Sequence, residues 1–360
     1  MRGHLRRLCG IVVATFTLLL LGGSLIAWAT SQASPGLIAF NGYVHGQSVI
    51  DEVSAAGGSV TQVASGAFNS PAWSPNGMQL AFAKSGPPAC SNCNDIYVMN
   101  ADGSAQQQLT TTGTSGVPVW SPTGNAIAFD ESPSVTSDSS AIFTVAPNGT
   151  GLRRLGGSGT GLAWSPNGSE IAYQSYSPSG IYVIPATGGK ARRLTKGNDQ
   201  FPVWSPDSSE IAFTRETPLP NKNERNDIYV VSPTGSGLRR LTTRSLQGEE
   251  PAWDPNGQLI AFVGEPKSHA SSCDRAAIYL IAPDGGAQTR ITGYEPAYND
   301  PTWAPDGNQI AFTSAHGCLQ ETQPLYVTYV TNGHPVLLAS NPSPTVGTPL
   351  AWQPTATTTP

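Results

Sequence analysis

The sequence predicts an all-β fold, a seven-bladed β-propeller built from four-stranded antiparallel blades, with a six-bladed ring as the alternative. Two observations predict it. A tryptophan recurs at intervals of 40 to 50 residues, and in six copies it is followed by a proline-containing turn, an apolar triplet such as Ile-Ala-Phe and a second apolar run. Helical periodicity is absent after residue 30.

The repeated tryptophan marks the end of the first strand in each predicted blade. Its side chain supplies a large apolar surface that one four-stranded sheet cannot cover alone, so it needs a neighbouring blade. We therefore assign these residues a structural role. They are Trp73, Trp120, Trp164, Trp204, Trp253, Trp303 and Trp352.

The turn after the tryptophan reads W-S-P-N-G in residues 73–77 and returns in five more copies, unchanged in residues 164–168 and with small changes in the other four. Proline presets φ to about −65° at the second turn position, and glycine takes the left-handed position. The triplet that follows, residues 80–82 in this copy, is apolar throughout. Such a run is typical of a strand buried on both faces, here between neighbouring blades.

The two ends of the repeat region complement each other. Residues 37–40, LIAF, match a second strand with no tryptophan turn before it, and residues 349–354, PLAWQP, supply a first strand with no triplet after it. Six whole repeats and one composite repeat make seven blades. We expect the C-terminal strand to pair with the N-terminal strands, because closing the ring removes exposed sheet edges.

The chain divides into three segments. Residues 1–33 form a targeting segment, in which three arginines precede an apolar run of about residues 8–29. This segment is either a cleaved signal peptide or an N-terminal membrane anchor. Both alternatives export the propeller, residues 34–354, to a periplasmic or extracellular location, and residues 355–360 form a low-complexity tail.

The charge of the exported part is acidic. The chain has 19 Lys and Arg and 24 Asp and Glu, and three of the arginines lie in the targeting segment, so the exported part carries a net charge of −8. Nucleic-acid-binding domains carry basic patches instead. We expect a monomer with no nucleic-acid partner, which contacts the membrane only through its N-terminal segment.

Basic pairs stand in the predicted fourth, outermost strand of three blades. They occur in LRRL at 152–155 and 238–241 and in ARRL at 191–194. Charges on an edge strand block edge-to-edge aggregation, so we interpret these pairs as edge protection.

Four cysteines fall in loops between predicted second and third strands, namely Cys90, Cys93, Cys273 and Cys318. The C-x-x-C spacing of the first two suits a small-loop disulfide in an exported protein. The other two occupy equivalent loops of consecutive blades and are candidates for a second disulfide. The alternative is four free thiols in a reducing compartment.

The sequence contains no recognisable catalytic motif. It has no G-x-S-x-G, no H-E-x-x-H, no Walker loop and no EF-hand loop. The exported histidines recur in no fixed frame, and we read them as solvated rather than as metal ligands. We therefore expect no catalytic residue, no assigned metal site and no cofactor.

Acidic residues precede the tryptophan in three successive blades, as Asp199, Glu249, Glu250 and Asp300. They stand near the start of the innermost strand, so we expect them at one mouth of the central channel. Clustered carboxylates bind a divalent cation or a basic peptide, or raise one pKa for acid–base work. The alternative is a solvated acidic rim that keeps the protein soluble.

The pattern W-S-P-[ND]-G-x-x-[IL]-A-F … I-Y-V … G … L-T resembles the WD40-like (PD40) propeller repeat of the TolB family, over roughly residues 37–354. The resemblance implies a periplasmic protein that binds protein partners through its propeller. That family places an α/β domain before a six-bladed propeller, whereas here only a few residues separate the targeting segment from Leu37, so we expect the propeller part alone. The repeats are also similar to the propeller of prolyl-oligopeptidase-like peptidases.

These observations favour an exported, non-enzymatic scaffold that binds a protein or peptide of the cell envelope. The blades are close copies, whereas the blades of an enzyme each have to donate a different group. The alternative is a propeller enzyme of lyase, lactonase or glycosidase type, with a cation-assisted acidic site at the channel mouth. A third possibility is a sensor whose N-terminal helix stays in the membrane.

Overall fold

The structure is a computed structural model that describes residues 36–44, 47–66, 68–85, 94–132, 140–219, 224–266, 276–294, 298–314, 324–331, 333–340 and 350–354. These residues form 28 β-strands and no helix. The strands make seven antiparallel sheets of four strands each.

Each sheet is one blade, and the blades are numbered here by the order of their tryptophans. Blade 7 is the composite one, and it contains β1 (Leu37–Val44), β2 (Gln47–Ser54), β3 (Thr61–Ser65) and β28 (Ala351–Trp352). Blade 1 contains β4 (Phe68–Trp73), β5 (Gln79–Ser85), β6 (Asn94–Asn100) and β7 (Gln107–Gln108). Blade 2 contains β8 (Val119–Trp120), β9 (Ile127–Glu131), β10 (Ala141–Val145) and β11 (Arg153–Gly156).

The remaining four blades follow the same order of strands. Blade 3 contains β12 (Thr160–Trp164), β13 (Glu170–Tyr176), β14 (Ser179–Pro185) and β15 (Arg192–Arg193). Blade 4 contains β16 (Asn198–Trp204), β17 (Ile211–Pro218), β18 (Glu224–Val231) and β19 (Arg239–Arg240). Blade 5 contains β20 (Leu246–Trp253), β21 (Ile260–Pro266), β22 (Ala277–Ile281) and β23 (Thr289–Arg290). Blade 6 contains β24 (Tyr298–Trp303), β25 (Gln309–Ser314), β26 (Leu325–Tyr329) and β27 (Val336–Ala339).

The first strands of the blades surround a common centre. Each first strand contacts the first strand of the next blade, and the series closes from β24 through β28 to β4. The closing strand β28 pairs with β1, with Ile38 opposite Trp352 and Ala39 opposite Ala351. The seven-bladed prediction and its C-terminal closure are confirmed, and the six-bladed alternative is excluded.

The turn between first and second strands is held by its own side chains. In blade 1 the Ser74 hydroxyl donates to Asn76 Oδ1 at 2.7 Å and accepts the N–H of Gln79 at 2.9 Å. Gly77 takes the left-handed conformation with φ of 67°. Blade 4 has Ser208 at this position, also left-handed at φ of 62°, and its hydroxyl accepts the N–H of Asn167 from blade 3.

The apolar triplets form the layers between blades, as their continuous apolar runs predict. Their isoleucine or leucine, alanine and aromatic residues are at most 2 % exposed in all seven blades. In blades 1 to 6 the aromatic residue of the triplet also stacks on the aromatic residue opposite it in the third strand, as Phe213 does on Tyr229 with ring centroids 5.9 Å apart. Burying one such side chain stabilises the fold by about 1.5–3 kcal/mol.

The repeated tryptophan joins each blade to the one before it. Its indole N–H donates to the backbone carbonyl of the residue that precedes the tryptophan of the previous blade. The bonds are 2.9 to 3.2 Å long and run from Trp120 to Ala72, Trp164 to Val119, Trp204 to Ala163, Trp303 to Ala252 and Trp352 to Thr302. The indoles of Trp73 and Trp253 are buried and find no partner among the described residues.

The threonine at the end of each L-T segment connects the outer strand to the third strand. The hydroxyls of Thr110, Thr195, Thr242 and Thr292 accept the backbone N–H of the first apolar residue in the third strand of their own blade. The basic pairs lie on the outer strands, where we expected them, and one arginine of each pair donates to backbone carbonyls of the next blade. They therefore connect blades, beyond protecting an edge.

We expect removal of residues 350–360 to destabilise the ring strongly. The deletion removes β28 with Trp352 and leaves β1 as an unpaired edge, which costs at least about 3 kcal/mol of unfolding free energy. Chemical denaturation of the full-length chain and of the truncated chain measures the difference in unfolding free energy.

The matched control is a chain that ends at Pro354, which keeps β28 and loses only the tail. It should melt with the full-length protein. If the chain ending before residue 350 also melts with the full-length protein, the closure by β28 does not hold the ring together.

Candidate functional site

The inner strands carry a bulge at one repeated position, three residues before the tryptophan. The residue there has a left-handed backbone with φ between 52° and 61°, and the pairing with the second strand shifts at the same place. The bulge residues are Ser70, Gly161, Phe201, Glu250 and Asp300. A bulge re-aims its side chain out of the regular alternation of a strand. This position therefore presents a different side chain in each blade.

In blades 4 and 5, a side chain of the previous blade accepts the N–H of the bulge residue. The N–H of Phe201 donates to Gln174 Oε1 at 2.9 Å, and the N–H of Glu250 donates to Thr214 Oγ1 at 3.1 Å. Gln174 and Thr214 are both the fourth residue counted from the start of the apolar triplet. In blade 5 this fourth residue is Val263, whose side chain has no acceptor atom.

The missing acceptor brings two predicted carboxylates together. The N–H of Asp300, the bulge residue of blade 6, donates to Glu250 Oε2 of blade 5 at 2.7 Å. Glu250 thus takes the role that Gln174 and Thr214 have in earlier blades. The sequence places both residues at the channel mouth, and the structure adds the contact between them.

Burial raises the pKa of both carboxyl groups, and the charge of Asp300 adds to the rise at Glu250. The pKa of Glu250 rises from 4.5 to about 8, first through burial and then through the negative charge of Asp300. The N–H donated by Asp300 and the charge of Glu249 act on it more weakly. Burial also raises the pKa of Asp300 to about 6. Both carboxyl groups therefore take up a proton more readily than an exposed carboxyl does.

Two further carboxylates extend this pair. Glu249 precedes Glu250 on β20, and its charge also raises the pKa of Glu265 on the neighbouring strand β21, where burial is the larger cause. We call Glu249, Glu250, Glu265 and Asp300 the acidic group. None of the ion pairs among the described residues involves any of the four. The acidic group therefore has no internal cation in the described part of the chain.

Asp199 lies outside the acidic group, in blade 4, where it forms an ion pair. Its carboxylate forms a two-pronged ion pair with Arg215, with Nε to Oδ1 at 2.6 Å and Nη2 to Oδ2 at 2.7 Å. It also accepts the hydroxyl of Thr195, and the residue is 2 % exposed. Asp199 stands two residues before the bulge residue Phe201, whereas Glu250 and Asp300 are bulge residues themselves. The structure therefore brings three of the four predicted residues into the acidic group and buries the fourth in a structural ion pair.

Two features of the site are missing from the sequence-based prediction. Glu265 reaches the acidic group only through the pairing of β20 with β21. The sequence does show that blade 5 has Val263 where blade 4 has Thr214. The residue after the apolar triplet varies between blades, while the triplet itself repeats. That variation is the signal that marks where neighbouring blades differ.

The cation, disulfide and membrane hypotheses depend on other residues. Among the described residues, no three His, Cys, Asp or Glu side chains are arranged to hold a metal ion. The four cysteines Cys90, Cys93, Cys273 and Cys318 lie outside the described residues, as does the targeting segment 1–33. The described part of the chain has no helix long and apolar enough to cross a bilayer.

We expect Glu250→Gln to change how stability depends on pH. The pKa of Glu250 is higher in the folded chain than in the unfolded one, so its contribution is fully present below its unfolded pKa and is lost as pH rises through about 8. The variant cannot titrate here, and its amide still accepts the N–H of Asp300. Its unfolding free energy relative to the wild type should therefore rise by roughly 2 kcal/mol between about pH 5 and pH 9.

Urea denaturation of both proteins across this range measures the difference. The other buried carboxyls with raised pKa values, Asp51, Glu52 and Asp130, are present in both proteins and cancel. Parallel stability curves would show that Glu250 titrates normally and is not held protonated by its surroundings.

Comparisons with known proteins identify the type of propeller. Residues 29–176 match the family model described as the TolB beta propeller domain. The structure is similar to that of TolB from Acinetobacter baumannii, with a TM-score of 0.54 and 14 % identity over 88 % of this chain and 82 % of that one.

Enzymes of known structure share the same architecture. An oligogalacturonate lyase in complex with manganese matches with a TM-score of 0.61 and 14 % identity, over 85 % of each chain. One of two prolyl endopeptidases matches with a TM-score of 0.61 and 12 % identity, over 86 % of this chain and 49 % of that one. At such identities the likeness shows the fold alone. Residues 29–176 are thus similar to the TolB propeller family, and the seven four-stranded sheets show the β-propeller fold that the repeats predict.

Proposed function

We propose that the protein is an exported scaffold of the cell envelope, whose propeller binds a basic segment of a protein or peptide through the acidic group. The observation that carries the proposal is the absence of a cationic partner for Glu249, Glu250, Glu265 and Asp300 among the described residues. Carboxylates held this close, with raised pKa values, are complementary to a Lys or Arg side chain of a ligand.

Elsewhere in the ring, four carboxylates of blades 3 and 4 pair with arginines. Asp199 and Asp227 of blade 4 each pair with an arginine of the same blade, and Glu170 and Glu210 pair with arginines of the outer strands. The propeller thus supplies its own cations to these four carboxylates, whereas the buried Asp51, Glu52 and Asp130 take part in no ion pair among the described residues. A Lys or Arg side chain of a ligand would pair with the acidic group, as arginines of the propeller pair with carboxylates in blades 3 and 4.

The location follows from the N-terminal residues and the charge. Three arginines before an apolar run of about residues 8–29 direct export, whether the segment is cleaved or retained. The net charge of −8 on the part after residue 33 attracts basic partners over long range. It also disfavours a nucleic-acid ligand.

We expect a fluorescein-labelled oligo-arginine peptide to bind the full chain and to lose about tenfold in affinity when Glu249→Gln, Glu250→Gln and Asp300→Asn are combined. Fluorescence anisotropy at fixed ionic strength measures both dissociation constants.

The matched control removes three exposed carboxylates from turns elsewhere on the ring, by Asp102→Asn, Asp284→Asn and Asp306→Asn. It removes the same number of carboxyl groups and should weaken binding by only about twofold. Equal losses in the two triple variants would mean that the peptide responds to net charge and that the acidic group binds nothing in particular.

An enzymatic role is the second candidate, and one observation favours it. A carboxyl with a pKa of about 8 beside a second carboxyl is suited to acid–base catalysis near neutral pH. The cation that such a role invokes finds no group of three suitable ligands among the described residues, so binding is the better supported function. Cleavage of oligogalacturonate by the full chain with manganese, lost in Glu250→Gln, would select the enzyme instead.

A further inference from the structure

A separate cavity of about 490 Å³ lies between blades 2 and 3, on the side of the ring where the first turns of the blades lie. Its lining includes Ala126, Thr144 and Arg153 of blade 2 and Trp164 of blade 3. No Asp or Glu belongs to this lining. The acidic group is near the opposite ends of the inner strands, in blades 5 and 6, so the two sites are distinct.

The cavity exists because blade 2 has a small residue where the other complete blades have a large one. Six residues after the tryptophan, blade 2 has Ala126. The corresponding residues of blades 1, 3, 4, 5 and 6 are Gln79, Glu170, Glu210, Leu259 and Gln309. The small side chain leaves space beside Trp164, which is partly exposed, as is Trp253, whereas Trp120 and Trp204 are buried.

The same change removes the carboxylate partner of an arginine. Arg192 in blade 3 pairs with Glu170 at 3.1 Å, and Arg239 in blade 4 pairs with Glu210 at 2.6 Å. Arg153 is the equivalent arginine of blade 2, and Ala126 stands where its glutamate would be. Arg153 still makes the contact that its equivalents make to the next blade, through Nη1 to the carbonyl of Thr187 and Nη2 to that of Ala186.

A polar group also replaces an apolar one inside the cavity. Thr144 is 6 % exposed and lies in the layer between blades 2 and 3. Its equivalents in blades 1, 3, 4 and 5 are Val98, Val183, Val230 and Leu280. The cavity thus combines an arginine lacking its carboxylate, a buried hydroxyl and the exposed part of an indole.

We propose that this cavity binds a small organic carboxylate that carries a ring or a short apolar chain. The carboxylate pairs with the Arg153 guanidinium, in the place that Glu170 and Glu210 occupy in the next two blades. The apolar part fills the space above Ala126 and packs on Trp164, and Thr144 offers a hydroxyl to any polar group on it. The volume suits a ligand of this class.

The test uses 3-phenylpropionate as the probe and 3-phenylpropionamide, its uncharged counterpart, as the comparison. Saturation-transfer NMR on the purified full chain should show the acid bound, with the amide about tenfold weaker. Arg153→Gln should weaken binding of the acid to the level of the amide. We expect this variant to keep the contact between blades, because Gln107 of blade 1 donates in the same way to the Asn148 carbonyl of blade 2.

Ala126→Glu is the decisive variant. The new glutamate should pair with Arg153, as Glu170 pairs with Arg192, and fill the cavity from within. Binding of 3-phenylpropionate should then be lost while the melting temperature stays the same or rises. Arg192→Gln, in blade 3, is the matched control and should bind as the wild type does.

Three results would overturn the proposal. They are failure of the wild-type chain to bind the acid, equal binding of acid and amide, or undiminished binding in Ala126→Glu. Because Arg153→Gln and Ala126→Glu alter the site in opposite ways, loss of folding in one of them leaves the other to decide.

Discussion

A hydrogen bond between neighbouring blades, from an indole N–H to a backbone carbonyl, sets the spacing of the ring. Hydrophobic layers between blades are not directional, since burial of the apolar triplets depends on area alone. The indole bond adds direction, because it joins a side chain at the end of one inner strand to a fixed carbonyl on the inner strand before it. Five such bonds fix how closely successive inner strands approach the centre.

The candidate site depends on that spacing. In blade 4 the indole of Trp204 bonds to Ala163 of blade 3, and the N–H of the bulge residue Phe201 bonds to Gln174 of the same blade. The two bonds hold one inner strand against its neighbour at two points. Glu250 and Asp300 meet between blades 5 and 6, where the indole of Trp303 bonds to Ala252 in the same way.

The repeating part of the sequence is sufficient to predict the fold, because each blade is encoded locally. A tryptophan, a Ser-Pro turn and an apolar triplet specify two strands and the turn between them. The frame of the acidic residues was harder to predict. Asp199 stands five residues before its tryptophan and Glu250 three, and only the second position carries the bulge. A bulge leaves no unambiguous mark in a single sequence, and the pairing of Asp199 with Arg215 depends on the strand register.

Both candidate sites arise where one blade departs from the others by a single side chain. Val263 offers no acceptor for the N–H of Asp300, so Glu250 supplies one and two carboxyls come together. Ala126 supplies no carboxylate for Arg153, so a cavity opens beside Trp164. A ring of similar blades tolerates such changes, because each is surrounded by unchanged contacts on both sides. Because the blades are so similar, a side chain that differs at one equivalent position can be recognised by comparing them.

The most direct test of this account compares Trp204→Phe with Trp73→Phe by urea denaturation. Both tryptophans are similarly buried, at 7 % and 6 % exposure, but only Trp204 donates its indole N–H, to Ala163. Both variants lose similar packing, and Trp204→Phe also leaves a carbonyl without its donor. The account predicts that Trp204→Phe costs about 1–2 kcal/mol more unfolding free energy than Trp73→Phe. Equal losses would contradict it, because the indole bond would then contribute nothing beyond burial.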